Sequence, residues 1–153
     1  MASLSKSKVC FYYQTPVSLR KREILKKFIE KIFRSENRRL TALNYIFCPD
    51  SEILRINKEF LKHDYYTDII TFEFSGKGAP IEGEIYISIE RVKENAKTIG
   101  DTLTKELHRV IFHGALHLCG YKDKTQKEIK RIRKREDFYL DNYFKVPRDT
   151  VSG

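Results

Sequence analysis

Two histidines four residues apart, His113 and His117, and a carboxylate six residues further on, Asp123, are the residues of this chain best suited to chemistry. Residues at i and i+4 lie on one face of a helix, so the two imidazoles can face a common point. Gly120 can end that helix in a left-handed cap and turn the chain back, bringing Asp123 towards the same point. Two imidazoles and one carboxylate suit a catalytic zinc ion with its fourth position left to water, which then ionises near neutral pH. The spacing alone leaves a plainer alternative open, two polar residues on a half-buried helix, because HxxxH is a low-specificity pattern. A zinc peptidase of the HExxH type is disfavoured, since Gly114 stands where that motif has its general base. Gly114 and Ala115 are expected to keep the metal face uncluttered, with Leu116 and Leu118 anchoring the helix. His108 falls about 140° around the helix from His113, so it is expected to be structural.

Elements of both kinds must position this group. A β-prone run spans Val9 to Tyr13, and alternation at Leu43, Tyr45 and Phe47 marks a second strand. Two more β-rich runs, Ile69 to Phe74 and Glu84 to Ile89, flank the Gly-rich turn SGKGAPIEG. Helical spacing of Ile24, Leu25, Phe28, Ile29, Ile32 and Phe33 predicts an early helix that Ser18 can cap. Further helices are expected from about Asp50, from Glu90 to Gly100, and from Thr102 to Cys119. Thr125 and Glu128 form a capping box that opens a last helix to about Asn142. The order β-α-β-α-β-β-α-α-α predicts one α+β domain over residues 1–153, a mixed four-stranded sheet packed with helices. The ends, about 1–7 and 145–153, read as loose.

The 153 residues suit a single core, with 41% hydrophobic residues. Thirty Lys and Arg against 21 Asp and Glu leave a net charge of +9, which favours a polyanionic partner, nucleic acid first. Lys122, Lys124, Lys127 and Arg131 follow the histidine pair directly and read either as an RNA track or as a solvated face. Three scattered cysteines with no CxxC pair point to reduced thiols and a cytoplasmic location. No run approaches the roughly 20 apolar residues of a membrane span, so no membrane association is expected.

The segment HGALHLCGYKD resembles the HGxLHLxGYDH motif of the YbeY family of ribosomal-RNA maturation endoribonucleases. INKEFLKHDYYTDIITFEF, from Ile56, is similar to that family's LNxxYRxxDxPTDVLSFPF, and GEIYISIERVKENA, from Gly83, to its GDIxIxxxxxxxNA. The three stretches occur in the family's order. The resemblance implies a zincin-like metallohydrolase that cuts single-stranded RNA, matures the 3′ end of small-subunit ribosomal RNA and acts in ribosome quality control. It implies one zinc ion per chain and, as partners, the ribosomal small subunit and its assembly proteins. The first two family ligands match His113 and His117, whereas the third, a histidine, is replaced by Asp123. That change should lower the Lewis acidity of the site and widen its tolerance for other divalent ions, unless Asp123 points away and binding is weak.

Leu61 stands where the family usually carries an arginine, and Lys62 and His63 are the residues that could take its place. The loop holding His63, Thr67 and Asp68 is expected to border the metal. Asp68 reads equally as an orienter of a ligand imidazole and as a turn or cap residue. Tyr65, Tyr66 and Tyr121 are candidates for stacking on unpaired bases. Two alternatives to the endoribonuclease stay open: a ribosome-associated RNA-binding assembly factor with weak or no catalysis, and a metal hydrolase of another substrate.

Overall fold

The computed structural model describes residues 7–62 and 67–145. Its elements run β1 (Val9–Tyr13), α1 (Arg22–Ser35), β2 (Leu40–Cys48), α2 (Asp50–Ile56), a single π-helical turn (Asn57–Leu61), β3 (Ile69–Glu73), β4 (Ile81–Ser88), α3 (Ile89–Ile99), α4 (Leu103–Leu118) and α5 (Gln126–Tyr143). The sheet order is β1-β2-β4-β3. β1, β2 and β4 are parallel, and β3 returns antiparallel to β4 at the edge. This is the mixed four-stranded α+β sheet that the patterning predicts.

Alternation along the strands divides the apolar residues between two faces. Leu43, Tyr45 and Phe47 of β2 and Ile81, Ile85 and Ile87 of β4 join the main core with α1, α4 and α5. Ile70 of β3 lies in a smaller cluster with Ile53 and Ile56 of α2, against which Tyr86 and Phe72 pack. Each fully buried Ile or Leu contributes about 1.5–3 kcal/mol over an exposed one. The helices are therefore held chiefly by their apolar stripes.

Helix boundaries show where local chemistry acts. Thr102 Oγ1 accepts from Lys105 N–H at the start of α4, and Thr125 and Glu128 form the expected capping box on α5. Ser18 does not cap α1. That helix begins at Arg22 behind Lys21, whose backbone is left-handed (φ 52°), and Arg22 Nε instead donates to the Leu19 carbonyl at 2.9 Å. Leu19 is buried, so packing of the lead-in segment sets the start of the helix. Ile24, counted among the apolar positions by spacing, is exposed.

α4 lies very close to the sheet. A Cβ on Gly114 would meet Ile85 Cδ1 at 2.8 Å and Ile69 Cδ1 at 3.0 Å, and Ala115 is fully buried. Gly114 and Ala115 therefore serve helix-to-sheet packing, and their expected role in clearing the metal face is not what the structure shows. Tyr45, buried in β2, donates its hydroxyl to the Ile111 carbonyl at 2.8 Å, tying the middle of α4 to the sheet. Gly83 of β4 completes the fit. A Cβ there would stand 2.8 Å from the Phe72 carbonyl oxygen and 3.2 Å from both methyls of Leu118. Because the first obstacle is backbone, Gly83→Ala is expected to cost about 1–3 kcal/mol, read as a lower urea midpoint with unchanged slope.

Candidate metal centre

α4 presents His113 and His117 one turn apart, their ring centroids 4.4 Å apart. The helix ends in a Schellman arrangement. Gly120 N–H bonds the His117 carbonyl at 3.0 Å, Tyr121 N–H bonds the Leu116 carbonyl at 3.0 Å, and Gly120 takes a left-handed φ of 110°. A side chain there would also meet the Arg38 guanidinium, which lies 2.8 Å from the would-be Cβ. The turn brings Asp123 back over the helix end. Its Oδ2 lies 3.3 Å from His113 Nε2 and 3.2 Å from His117 Nε2.

The ring nitrogens turned away from Asp123 determine what the near ones can be. His117 Nδ1 sits 2.9 Å from the Tyr121 backbone carbonyl, which can only accept, so Nδ1 carries the proton. His113 Nδ1 lies 2.5 Å from Glu136 Oε2, and the same assignment follows for an ionised Glu136. In both neutral rings Nε2 is then a lone pair facing a carboxylate oxygen. These three ligand atoms, all within 4.8 Å of one another, are placed to share a cation. Ligands bound at about 2.0–2.1 Å in a tetrahedron are about 3.3 Å apart, which matches both Asp123 distances. The His-His-Asp group therefore fits a divalent metal ion.

Glu136 is the partner that sequence reading missed. It is 3% exposed on α5, and its Oε1 accepts from Arg109 Nη1 at 3.0 Å. Arg109 also bonds Asp137 at 2.8 Å. Burial opposes charge on His113, but the Glu136 bond and the charges of Glu136, Asp123 and Asp68 outweigh it and raise the pKa of the imidazole. Asp68 lines a cavity with His113, Asp123 and Glu136. Its Oδ2 accepts from Asn95 Nδ2 at 3.1 Å, and its carbonyl accepts from Ser88 N–H. Burial pushes its carboxyl pKa up. His108, as expected, stands apart from the metal group. It is buried, with Nδ1 2.7 Å from the Thr104 carbonyl.

His113 and Asp123 line two cavities. One, of about 290 Å³, also includes Asp68, Glu106, Arg109, Arg133 and Glu136. The other, of about 680 Å³, also includes Leu61, Thr67, Thr71, His117 and Lys124. The metal group thus sits between two openings. Of the other expected site residues, Lys62 is exposed and left-handed (φ 60°) just after the π-helical turn. His63, Tyr65 and Tyr66 lie outside the described residues. Lys122 and Arg131 line a separate cavity behind Tyr121, and Lys127 is exposed on the first turn of α5. The Arg131 guanidinium lies 5.2 Å from the centre of the Tyr121 ring. Tyr121 also donates its hydroxyl to Glu36 at 2.9 Å, so it is engaged within the protein.

A family model described as Endoribonuclease YbeY matches residues 12–144. The chain belongs to the YbeY endoribonuclease family. A relative named Endoribonuclease YbeY from Cytophaga hutchinsonii is 48% identical over 137 residues, covering 88% of this chain and 96% of its own length. Another of the same name, from Christiangramia forsetii, is 40% identical over 134 residues, covering 88% and 93%. The solution structure of a Thermotoga maritima protein superposes with a TM-score of 0.60 at 29% identity, covering 87% of each chain. No helix among the described residues is long and apolar enough to cross a membrane. Within this YbeY-family fold, Glu136→Ala would leave Arg109, whose side chain is 13% exposed, with only its surface partner. It is expected to lower unfolding free energy by about 3 kcal/mol, measured by urea denaturation of metal-free protein.

Proposed function

We propose that the protein is a metal-dependent endoribonuclease that cuts single-stranded RNA, with His113, His117 and Asp123 holding one zinc ion. The observation that carries this reading is the convergence of two Nε2 lone pairs and one carboxylate oxygen in a member of the YbeY family. When bound, the ion supplies an activated water near neutral pH and positive charge for the phosphoryl oxygens.

The residues around it have separable tasks. Glu136 and the Tyr121 carbonyl hold the two rings in the tautomer that offers Nε2, which also raises their basicity as ligands. Asp123 contributes a negative charge where other members carry histidine. This lowers the Lewis acidity of the site and makes manganese or another hard divalent ion an alternative to zinc. Arg133 lines one opening and Lys124 the other, and both are proposed to attract phosphates on either side of the scissile one. Arg109 is committed to Glu136 and Asp137. Leu61 lines the larger opening, so the grip that an arginine would give there passes to Lys124, with Lys62 and His63 as further candidates. Thr67 and Asp68 border the same opening and are proposed to contact the substrate strand. Lys122, Lys127 and Arg131 are proposed as more distant contacts with RNA. The physiological substrate on this reading is ribosomal RNA, at the 3′ end of the small-subunit species. Small-subunit assembly proteins are the proposed partners, the cytoplasm the proposed location, and ribosome quality control a further role.

Purified protein is expected to cleave single-stranded RNA, to stop when metal is chelated and to resume when zinc is restored. His113→Ala with His117→Ala should lower the rate more than about 100-fold. Cleavage that persists unchanged in that double variant would overturn the mechanism. Retained RNA binding without chelator-sensitive cleavage in the wild type would instead favour an assembly factor.

A further inference from the structure

Tyr121 is held at every polar atom it has. Its N–H bonds the Leu116 carbonyl, its carbonyl accepts from His117 Nδ1, and its hydroxyl donates to Glu36 Oε1 at 2.9 Å. Glu36 directly follows the last turn of α1, 77 residues before the first histidine of the metal group. Its other oxygen accepts from Arg135 Nη2 at 2.7 Å and from the Tyr139 hydroxyl at 2.5 Å, both on α5. The Glu36 side chain is 11% exposed. Burial works against its charge, but the three donors outweigh it and lower its pKa, so it is a carboxylate at neutral pH.

We infer that Glu36 is a positioning residue for the metal centre: by holding the Tyr121 hydroxyl it fixes the carbonyl that orients His117 and the turn that carries Asp123. The inference rests on the metal reading above. α1 and α5 are already joined by the bonds of Glu36 to Arg135 and Tyr139, so their packing does not need the Tyr121 bond. That bond is the one that reaches the site. Tyr121 lies between two of the three ligands, one residue beyond Gly120 and two before Asp123. A rotation of its peptide would therefore move the His117 acceptor and the Asp123 backbone together. A lock from outside the turn is what the geometry adds. Arg131 against the ring restrains the same side chain from α5.

The readout is zinc affinity of the full-length protein, by competition with a chromophoric chelator, beside the melting temperature of the metal-free form. Tyr121→Phe, which removes one hydroxyl and keeps the ring, is expected to weaken zinc binding about 10-fold, and Glu36→Ala at least as much. Glu36→Gln keeps an acceptor for the hydroxyl and is expected to stay within about 3-fold of wild type. Combining Tyr121→Phe with Glu36→Ala should weaken binding no further than Glu36→Ala alone, because both break one link. Wild-type zinc affinity in Tyr121→Phe and Glu36→Ala, with only the metal-free melting temperature lowered, would show that Glu36 merely packs helices and would overturn the inference. Should Glu36→Ala fail to fold, Tyr121→Phe alone decides. A wild-type protein that takes up no zinc would instead overturn the metal reading itself.

Discussion

At the end of α4, Asp123 Oδ2 stands 3.3 Å from His113 Nε2 and 3.2 Å from His117 Nε2, an arrangement that a cation shared by the three atoms stabilises. Most of the polar structure nearby prevents these groups from relaxing apart. Glu136 holds one ring by Nδ1 and the Tyr121 carbonyl holds the other. Neither histidine can turn its other nitrogen inward without breaking a hydrogen bond. Gly120 lets the chain reverse tightly enough for Asp123 to return to the same point. The site is thus preorganised by bonds that run away from it, into α5 and the turn.

The sheet and its glycines determine where α4 can lie. Gly114 admits the helix against Ile85 and Ile69, Gly83 admits Leu118, and the Tyr45 hydroxyl binds the α4 backbone two residues before His113. Helix position and ligand position are therefore one problem. A shift of α4 to accommodate a larger residue would disturb the register of His113 with Glu136. α5 enters the same problem from the other side, since Glu136 reaches His113 only if the capping box at Thr125 starts that helix in register.

What was legible in the chain followed from local rules. β-prone runs and the alternation at Leu43, Tyr45 and Phe47 marked the four strands, the Thr125–Glu128 capping box marked the start of α5, and the HxxxH pair with Gly120 and Asp123 marked the candidate ligand group before any contact was known. Family resemblance then supplied the chemistry that spacing left open. The misses share a cause, in that each depends on tertiary contact. Glu136 sits within a charge run on α5 that reads as a solvated face. Its burial comes from α4 crossing over it, and the one available signal was its four-residue step from Ile132, a buried position of the same helix. Glu36 carries no local mark at all. Ser18 is a residue type suited to a helix cap yet lies before a segment held by the buried Leu19, and the packing of that segment delays the helix to Arg22. Gly114 was assigned to the correct helix and to the wrong neighbours, because spacing does not reveal how close a sheet approaches.

The proposed activity depends on one metal ion held by His113, His117 and Asp123. X-ray absorption spectroscopy at the zinc edge, on protein loaded with one equivalent of zinc, tests that ligand set most directly. The expected spectrum shows two imidazole nitrogens with oxygen ligands at about 2.0–2.1 Å, a signature that loses one imidazole in His117→Ala and keeps both in Asp123→Ala. A spectrum without imidazole scattering, or one unchanged in His117→Ala, would contradict that ligand set.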